Sequence, residues 1–292
     1  MRKNFYDIIN NAEFNPQKEF ERIKFLFTTP YEFVGYSETH SLSDLISIHF
    51  NIYPESIKKR TLNFNDFNST YGFDIIDIDK YISGKCIEND DLILYCEYIK
   101  TLICILDKII ERISDITEQG KGPCYKIKEL TKLINSSMEE LCLMPIQNGD
   151  FQLFTPKDAA VVSASEIVPE EIVIPILEYH HHSLKGNIDK KRTILLKLAD
   201  DLEPKRKDLK SINSTLEDNL FYLFNNINIR HNNTNPNDKS KYKAYVANLS
   251  QNELEDWYDE TYQLCLLAFL ELDNVERNNK IKQLKQDISN TK

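Results

Sequence analysis

The sequence predicts a mainly α-helical protein with one small β-hairpin near the middle of the chain. Glycine occurs only 7 times in 292 residues, which disfavours Gly-rich sheet proteins and nucleotide folds built on glycine-rich phosphate loops. Apolar residues recur at spacings of three and four through most of the long segments, as expected for amphipathic helices. Hydrophobic residues make up 41% of the chain, enough to bury the core of one large or two ordinary domains.

Residues 1–140 are predicted to be a mostly helical N-terminal region, and no motif in them assigns a role. Ser41 or Ser43 is a suitable N-cap for the second helix. Residues 63–84, rich in Asn, Asp and aromatic side chains, suit loops with short helical turns. The helices predicted in this region span residues 15–28, 41–52, 88–116 and 125–141.

A β-hairpin and linker are predicted for residues 141–165, between the two helical regions. Two short apolar runs flank Asn148-Gly149. Both residue types tolerate a positive φ, so this pair suits the type I′ turn of a tight hairpin.

Residues 166–292 are predicted to contain four helices, and short connections between the first three favour antiparallel neighbours in a bundle. Ser250 and Glu253 have the spacing of a capping box at the start of the last helix. Trp257, on the first turns of that helix, is expected to pack beneath the loop that follows the third helix. The four predicted helices span residues 169–184, 188–206, 211–229 and 251–285.

Charge and targeting signals restrict the class of protein. The net charge of −10 argues against constitutive DNA binding, because phosphates repel an acidic surface. Residues 185–210 nevertheless carry a net charge of +4, which is either a basic binding face or a solvated helix surface. No signal peptide or membrane span is evident. Six cysteines without a C-x-x-C pair favour a reduced, cytoplasmic protein over a disulfide framework or zinc site.

The segment "NNINIRHNNTNPNDKSKYK", residues 225–243, is the strongest candidate for chemistry. Arg230 suits a phosphate because its planar guanidinium pairs with two oxygens. His231 suits proton transfer because histidine ordinarily titrates near neutral pH. The alternative is that the Arg-His pair only caps the preceding helix, whose C-terminal dipole favours cations.

Three stretches of the C-terminal region resemble the HEPN superfamily, and in particular the helical C-terminal domains of bacterial abortive-infection proteins. They are "SLKGNIDKKRTILLKLADDLEP", "LFNNINIRHNN" and "ELEDWYDETYQLCLLAFLEL", and the resemblance covers roughly residues 165–285. It implies that residues 166–292 form a HEPN-like four-helix bundle.

The resemblance also implies a metal-independent ribonuclease acting in phage defence, with RNA as partner, a homodimer as the active form and no cofactor. Arg230 and His231 match the family's Arg and the polar residue after it, and would be catalytic. Asn235 stands where the family's final His is most often found. This departure favours the alternative, a non-catalytic module that binds a nucleotide or a protein. The candidate substrate-binding residues are Asn226, Asn232, Asn235 and Lys239.

Two further clusters have ordinary structural explanations. His180, His181 and His182 are consecutive, so on a helix they point about 100° apart and cannot all bind one metal ion. We expect them to be packed or partly exposed and assign no metal ligand. The acidic residues at the start of the last helix suit its positive dipole end, and surface charge is favoured over a catalytic role for Glu253, Glu255, Asp256, Asp259 and Glu260.

Overall fold

The computed structural model of this chain describes residues 14–33, 36–50, 86–114, 123–149 and 151–290. These residues are mainly helical and include one two-stranded antiparallel sheet, which confirms the predicted class. The chain divides into two compact units, Met1–Phe154 and Thr155–Lys292. Each unit has its own hydrophobic core. The loops expected over residues 63–84 lie outside the described residues.

The described part of the first unit is built around one long helix. Its helices are α1 (Pro16–Thr28), α2 (Leu42–His49), α3 (Asn89–Ser114) and α4 (Cys124–Glu140). They match the four predicted segments within a few residues. Helix α3 packs against the other three and buries Tyr98, Ile99 and Leu102. Ser41 is the N-cap of α2, because its hydroxyl accepts from the Asp44 N–H at 3.0 Å.

The predicted hairpin is present as β1 (Leu143–Asn148) and β2 (Phe151–Pro156). The predicted position of its turn was wrong by one residue. Asn148 still belongs to β1, and the positive φ of +62° falls on Gly149. Glycine takes that conformation at least cost because it has no Cβ atom, so the turn starts there rather than at the asparagine.

Side chains of α3 occupy the hydrogen-bonding edge of β2. The Phe154 N–H donates to the Glu97 carboxylate at 2.7 Å, and the Gln152 N–H donates to the Thr101 hydroxyl at 3.1 Å. An isolated two-stranded hairpin is marginally stable in water. These bonds therefore attach the hairpin to the core of the first unit.

The second unit contains more helical segments than the four predicted. They are α5 (Ala159–Ser165), α6 (Glu170–Glu178), α7 (Ile188–Leu202), α8 (Arg206–Ile212), α9 (Ser214–Asn226), α10 (Ala244–Ala247) and α11 (Gln251–Asn290), with a 3-10 turn at His182–Leu184. Helix α11 is central, because it packs against α5, α7, α8 and α9. The buried face of α11 packs in the core of the second unit through Tyr258, Tyr262, Cys265 and Phe269.

Three predicted helices are shorter in the structure than in the sequence prediction. The predicted first helix ends at Glu178 rather than near residue 184, so His180, His181 and His182 follow the helix instead of lying on it. The predicted second helix ends at Leu202 rather than near residue 206, two residues before Pro204, which has no N–H to continue the ladder. The predicted third helix begins at Ser214, and Asn213 before it has non-helical backbone angles (φ −145°, ψ 87°). The Asn213 side chain accepts from the Leu216 N–H at 3.0 Å and so caps α9.

The start of α11 confirms the capping box but not the position of the tryptophan. The Ser250 N–H and hydroxyl both donate to the Glu253 carboxylate, at 2.8 and 2.7 Å. Trp257 is 41% exposed, so its expected packing beneath the loop was wrong. Tyr258 is fully buried there instead. Consecutive helical residues point about 100° apart, which places Trp257 at the border of the buried face.

Beyond Asp273, helix α11 continues for about four and a half turns, and all of residues 274–290 are exposed. In the described ranges, no helix combines the length and hydrophobicity needed to cross a lipid bilayer.

All six cysteines are free thiols; Cys96 is buried in the first core and Cys265 in the second. Burial raises the pKa of both thiols.

Candidate functional site

The loop after α9 begins with a sharp change of chain direction at Asn228. This residue has a φ of +64°, the left-handed conformation that asparagine tolerates better than most residues. The flanking Ile227 and Ile229 are buried in the core of the second unit. The Arg230 N–H then donates to the Phe224 carbonyl at 3.0 Å. The apolar side chains thus hold the start of the loop against the bundle.

Asn233 holds the loop together, and sequence reasoning did not select it. It is fully buried. Its side-chain amide donates to the carbonyls of Asn225 (3.2 Å) and Lys241 (2.8 Å). Its side-chain oxygen accepts from the Asn228 N–H at 2.7 Å, and the Asn228 side chain accepts from the Asn233 N–H at 3.2 Å. The sequence signal was a pair of asparagines five residues apart, one of them at the end of a helix.

Two side chains from neighbouring helices fix the same turn from the other side. Arg192 of α7 donates through Nε to the carbonyls of Asn228 (2.5 Å) and Ile229 (3.1 Å). The Tyr258 hydroxyl of α11 donates to the Asn228 carbonyl at 3.3 Å. Burial is the main cause that raises the pKa of Tyr258 to about 12. The hydroxyl therefore stays protonated and remains a donor at neutral pH.

The Arg230 side chain turns towards the end of α7. Its Nη2 donates to the Ala199 carbonyl at 2.8 Å, and its Nη1 forms an ion pair with Glu203. The guanidinium lies 5.5 Å and 5.2 Å from the ring centroids of Phe221 and Phe224. Only 16% of the side chain is exposed. Arg230 therefore adds a charged second donor to a carbonyl in the last turn of a neighbouring helix, which also accepts from the Glu203 N–H at 3.0 Å.

His231 points elsewhere, into a polar cleft of about 350 Å³. The cleft lies between the end of α9 and the chain leading to α10, and Arg230 is not among the residues around it. No lining residue carries a carboxylate. The lining residues are Asn225, Asn226, His231, Asn233, Ser240, Lys241 and Lys243. Two lysines, a histidine and three asparagines line this cleft, a composition that favours an anionic, hydrogen-bonding ligand.

The four predicted substrate-binding residues are divided between the cleft and the outer loop. Asn226 lines the cleft, and its side-chain amide donates back to the Tyr222 carbonyl at 2.8 Å. Asn232 and Asn235 form local turns instead. The Asn232 side chain accepts from the Thr234 N–H (3.2 Å) and the Asn235 side chain from the Asn237 N–H (3.0 Å). Lys239 is exposed outside the cleft, where Lys241 and Lys243 are the lining lysines.

The histidine cluster contributes packing in the second unit. The His180 ring contacts the stacked pair Tyr179 and Tyr262 edge-on, with centroids 5.1 and 5.0 Å away. Burial lowers the pKa of His180. His181 is buried, and its Nδ1 accepts from the Ser183 N–H at 3.3 Å to cap the 3-10 turn.

Two carboxylates from the acidic run of α11 neutralise a buried lysine. Lys191 of α7 is 4% exposed and forms ion pairs with Glu255 (2.8 Å) and Asp259 (2.7 Å). Glu255 also accepts from the Gly186 N–H at 2.9 Å. These two residues therefore join α11 to α7, a role beyond the surface charge expected from the sequence.

The comparisons with known proteins add no relative to this description. No protein-family model matches the chain, and no curated protein or solved structure matches it significantly.

Proposed function

We propose that the second unit is a HEPN-like module of a bacterial phage-defence protein, and that it binds RNA through the His231 cleft. One observation carries the proposal: His231, Lys241 and Lys243 share a cleft with side-chain amides and with no carboxylate. Ammonium groups supply attraction to phosphates, and the amides of Asn225 and Asn226, each shown with one bond to a helix carbonyl, supply hydrogen bonds to bases or sugar hydroxyls. The resemblance of residues 165–285 to HEPN domains supports RNA as the ligand.

Within this proposal, His231 is the residue that carries ribonuclease chemistry. The imidazole takes the proton of a ribose 2′-OH, whose oxygen attacks the adjacent phosphorus. The bond from phosphorus to the 5′-oxygen breaks, and that oxygen takes a proton from a second imidazole that is in its protonated, imidazolium form. The products are a 2′,3′-cyclic phosphate and a 5′-OH end. The second imidazole is His231 of another copy in a symmetric dimer.

A second candidate function is non-catalytic binding of a nucleotide or partner at the same cleft. Two observations favour it. The Arg230 guanidinium is held by Glu203 and the Ala199 carbonyl rather than directed into the cleft. Asn235, which stands where the family has histidine, forms a local turn outside the cleft. In this arrangement the cleft contains a base but lacks an arginine to stabilise a phosphorane.

Binding is tested with the purified full-length chain and a fluorescently labelled single-stranded RNA, by anisotropy over a range of salt concentrations. Replacing both cleft lysines (Lys241→Gln with Lys243→Gln) is expected to weaken binding and to lower the salt slope by about 1.4, which is about 0.7 for each phosphate that is no longer neutralised. Lys239→Gln is the matched control, since Lys239 is exposed on the same loop but outside the cleft. An equal effect of Lys239→Gln would contradict the cleft as the site.

Cleavage is tested separately, with the same RNA unlabelled and in the presence of EDTA. The ribonuclease proposal predicts that EDTA leaves cleavage intact, that products end in 2′,3′-cyclic phosphate, and that His231→Ala abolishes cleavage. Binding without cleavage would support the second candidate. Cleavage that requires Mg²⁺ or Mn²⁺ would contradict the role given to His231.

A further inference from the structure

The exposed end of α11 carries a row of apolar side chains that nothing in the described chain covers. Residues 274–290 are all exposed, and a free helix of this length is marginal in water even for favourable sequences. Most of the helix surface there is polar. Four apolar residues nevertheless lie 43–60% exposed along one side, namely Leu267, Ile281, Leu284 and Ile288.

These residues follow the spacing of a two-stranded coiled coil. Steps of three and four residues run from Leu267 to Ile288 and define the positions that face a partner helix. Seven positions result, and the four exposed apolar residues occupy four of them. Leu270, which is partly buried, occupies the fifth, and Asn274 and Arg277 occupy the remaining two. We call these seven positions the exposed row. Polar residues at such positions lower the stability of a coiled coil, and the Arg277 side chain is paired with Asp273 on the same helix.

The exposed row faces away from the core of the second unit. At about 100° per residue, its members are centred about 120° around α11 from Tyr258, Cys265 and Phe269, which are buried. Leu267 lies within the stretch that packs in the bundle and is still 43% exposed. The bundle therefore leaves this side of the helix available along its last six turns.

Charge along the helix end indicates the partner. Residues 270–276 carry the carboxylates Glu271, Asp273 and Glu276 and no cation, a net charge of −3. Residues 277–290 carry four cationic side chains and one carboxylate, a net charge of +3. Two copies aligned in parallel place like charges side by side, whereas two antiparallel copies place each acidic half against a basic half. The segment is therefore complementary to itself in the antiparallel direction.

We propose that residues 267–290 of α11 pair with the same segment of a second copy of this chain in an antiparallel two-helix coiled coil. In this pairing the exposed row of each copy packs against the exposed row of the other. The acidic residues 270–276 of each copy lie beside the basic residues 277–290 of the other, so the favourable charge contact occurs twice. The pairing is a separate interface from the one that brings two His231 imidazoles to one RNA, because Tyr258, which contacts the His231 loop, lies about 20 residues from the centre of the pairing. The first test is therefore made in the absence of RNA.

The first test is the mass in solution, measured by light scattering on the full-length chain. The expected mass is twice the chain's 34.2 kDa, and Leu284→Lys with Ile288→Lys is expected to return it to the monomer. Val275→Lys is the matched control, because Val275 is 37% exposed on the same helix but lies well outside the row. A monomeric native chain, or a dimer that survives the double substitution, would overturn the proposal.

The second test is the direction of pairing. A nitroxide attached through Asn290→p-azidophenylalanine leaves the native cysteines in place. Antiparallel pairing over residues 267–290 separates the two labels by about 35 Å, at 1.5 Å per residue. Parallel pairing brings them within about 15 Å, the distance across two packed helices with their side chains. A short distance measured by double electron–electron resonance would overturn the antiparallel proposal, and unchanged melting of the labelled chain is the check on its folding.

Discussion

Arg230 and His231 are neighbours in the chain, yet their side chains lie in different surroundings: the guanidinium binds the end of α7 and the imidazole lines the polar cleft. Arg230→Ala is therefore expected to lower the free energy of unfolding by about 1–3 kcal/mol, mainly by leaving the Ala199 carbonyl with one donor fewer. The ion pair adds little, because its Glu203 partner is 47% exposed. His231→Ala is expected to change stability by less than about 0.5 kcal/mol and to weaken RNA binding. Urea unfolding and anisotropy on both variants check this. If Arg230→Ala instead weakened RNA binding without lowering stability, the guanidinium would be a contact to the ligand, contrary to the prediction.

Asn233→Ala is expected to destabilise the second unit by about 1–3 kcal/mol, since it removes the partners of two carbonyls and one buried N–H. It is also expected to weaken ligand binding, because Asn233 joins the two sides of the cleft. Asn232→Ala is the control: Asn232 is exposed and makes only a local turn. Urea unfolding with the linear extrapolation measures both. Equal stabilities of the two variants would contradict the central role of Asn233.

The adjacent pair Trp257 and Tyr258 gives a comparison in which the larger ring matters less. Tyr258→Ala removes a fully buried side chain and is expected to cost about 3–5 kcal/mol, as for other large aromatic residues. Trp257→Ala removes a ring that is 41% exposed and is expected to cost about 1 kcal/mol or less. Thermal unfolding followed by circular dichroism ranks the two, and a larger loss for Trp257→Ala would show that the indole is buried.

The pair between Lys191 and Glu255 predicts how stability depends on pH. Burial opposes the charged form of Glu255, but hydrogen bonds from Lys191 and the Gly186 N–H outweigh it, so the pKa of Glu255 is lowered. A carboxyl with a lowered pKa in the folded state adds stability above its unfolded value of about 4.3, and this stability is lost as the pH falls through the folded value. Glu255→Gln should therefore be less stable than the native chain at pH 7, with the difference shrinking below about pH 4.5.

Melting temperatures between pH 7 and pH 3 measure that difference. Glu260→Gln is the control, because Glu260 is exposed on the same helix. A constant difference between Glu255→Gln and the native chain across this range would contradict the linkage.

Local rules predicted the elements of the fold well. The N-cap at Ser41, the capping box at Ser250 and the amphipathic spacing of α3 depend on residues three or four apart, so they are visible in the sequence. The boundaries near Pro204 and Asn213 were missed, because a short helix such as α8 fits the same periodic pattern as its neighbours.

The candidate site depended on long-range contacts, and for that reason only part of it could be predicted. His231 and Asn226 were selected and line the cleft. Arg230 was selected for its charge, but its orientation is decided by Ala199 and Glu203, which are about 30 residues away in the chain. Asn233 was missed because its importance comes from carbonyls that the folded loop brings to it.

The two buried thiols provide a way to observe each unit separately. Cys96 is 0% exposed in the first core and Cys265 is 0% exposed in the second, so a thiol reagent reaches each one only when its own unit opens. After proteolysis, Cys96 and Cys265 lie on different peptides, so mass spectrometry measures the labelling of each thiol in the same experiment. The relative labelling rates in mild denaturant then reveal whether the halves of this chain unfold as one cooperative body or as two independent ones.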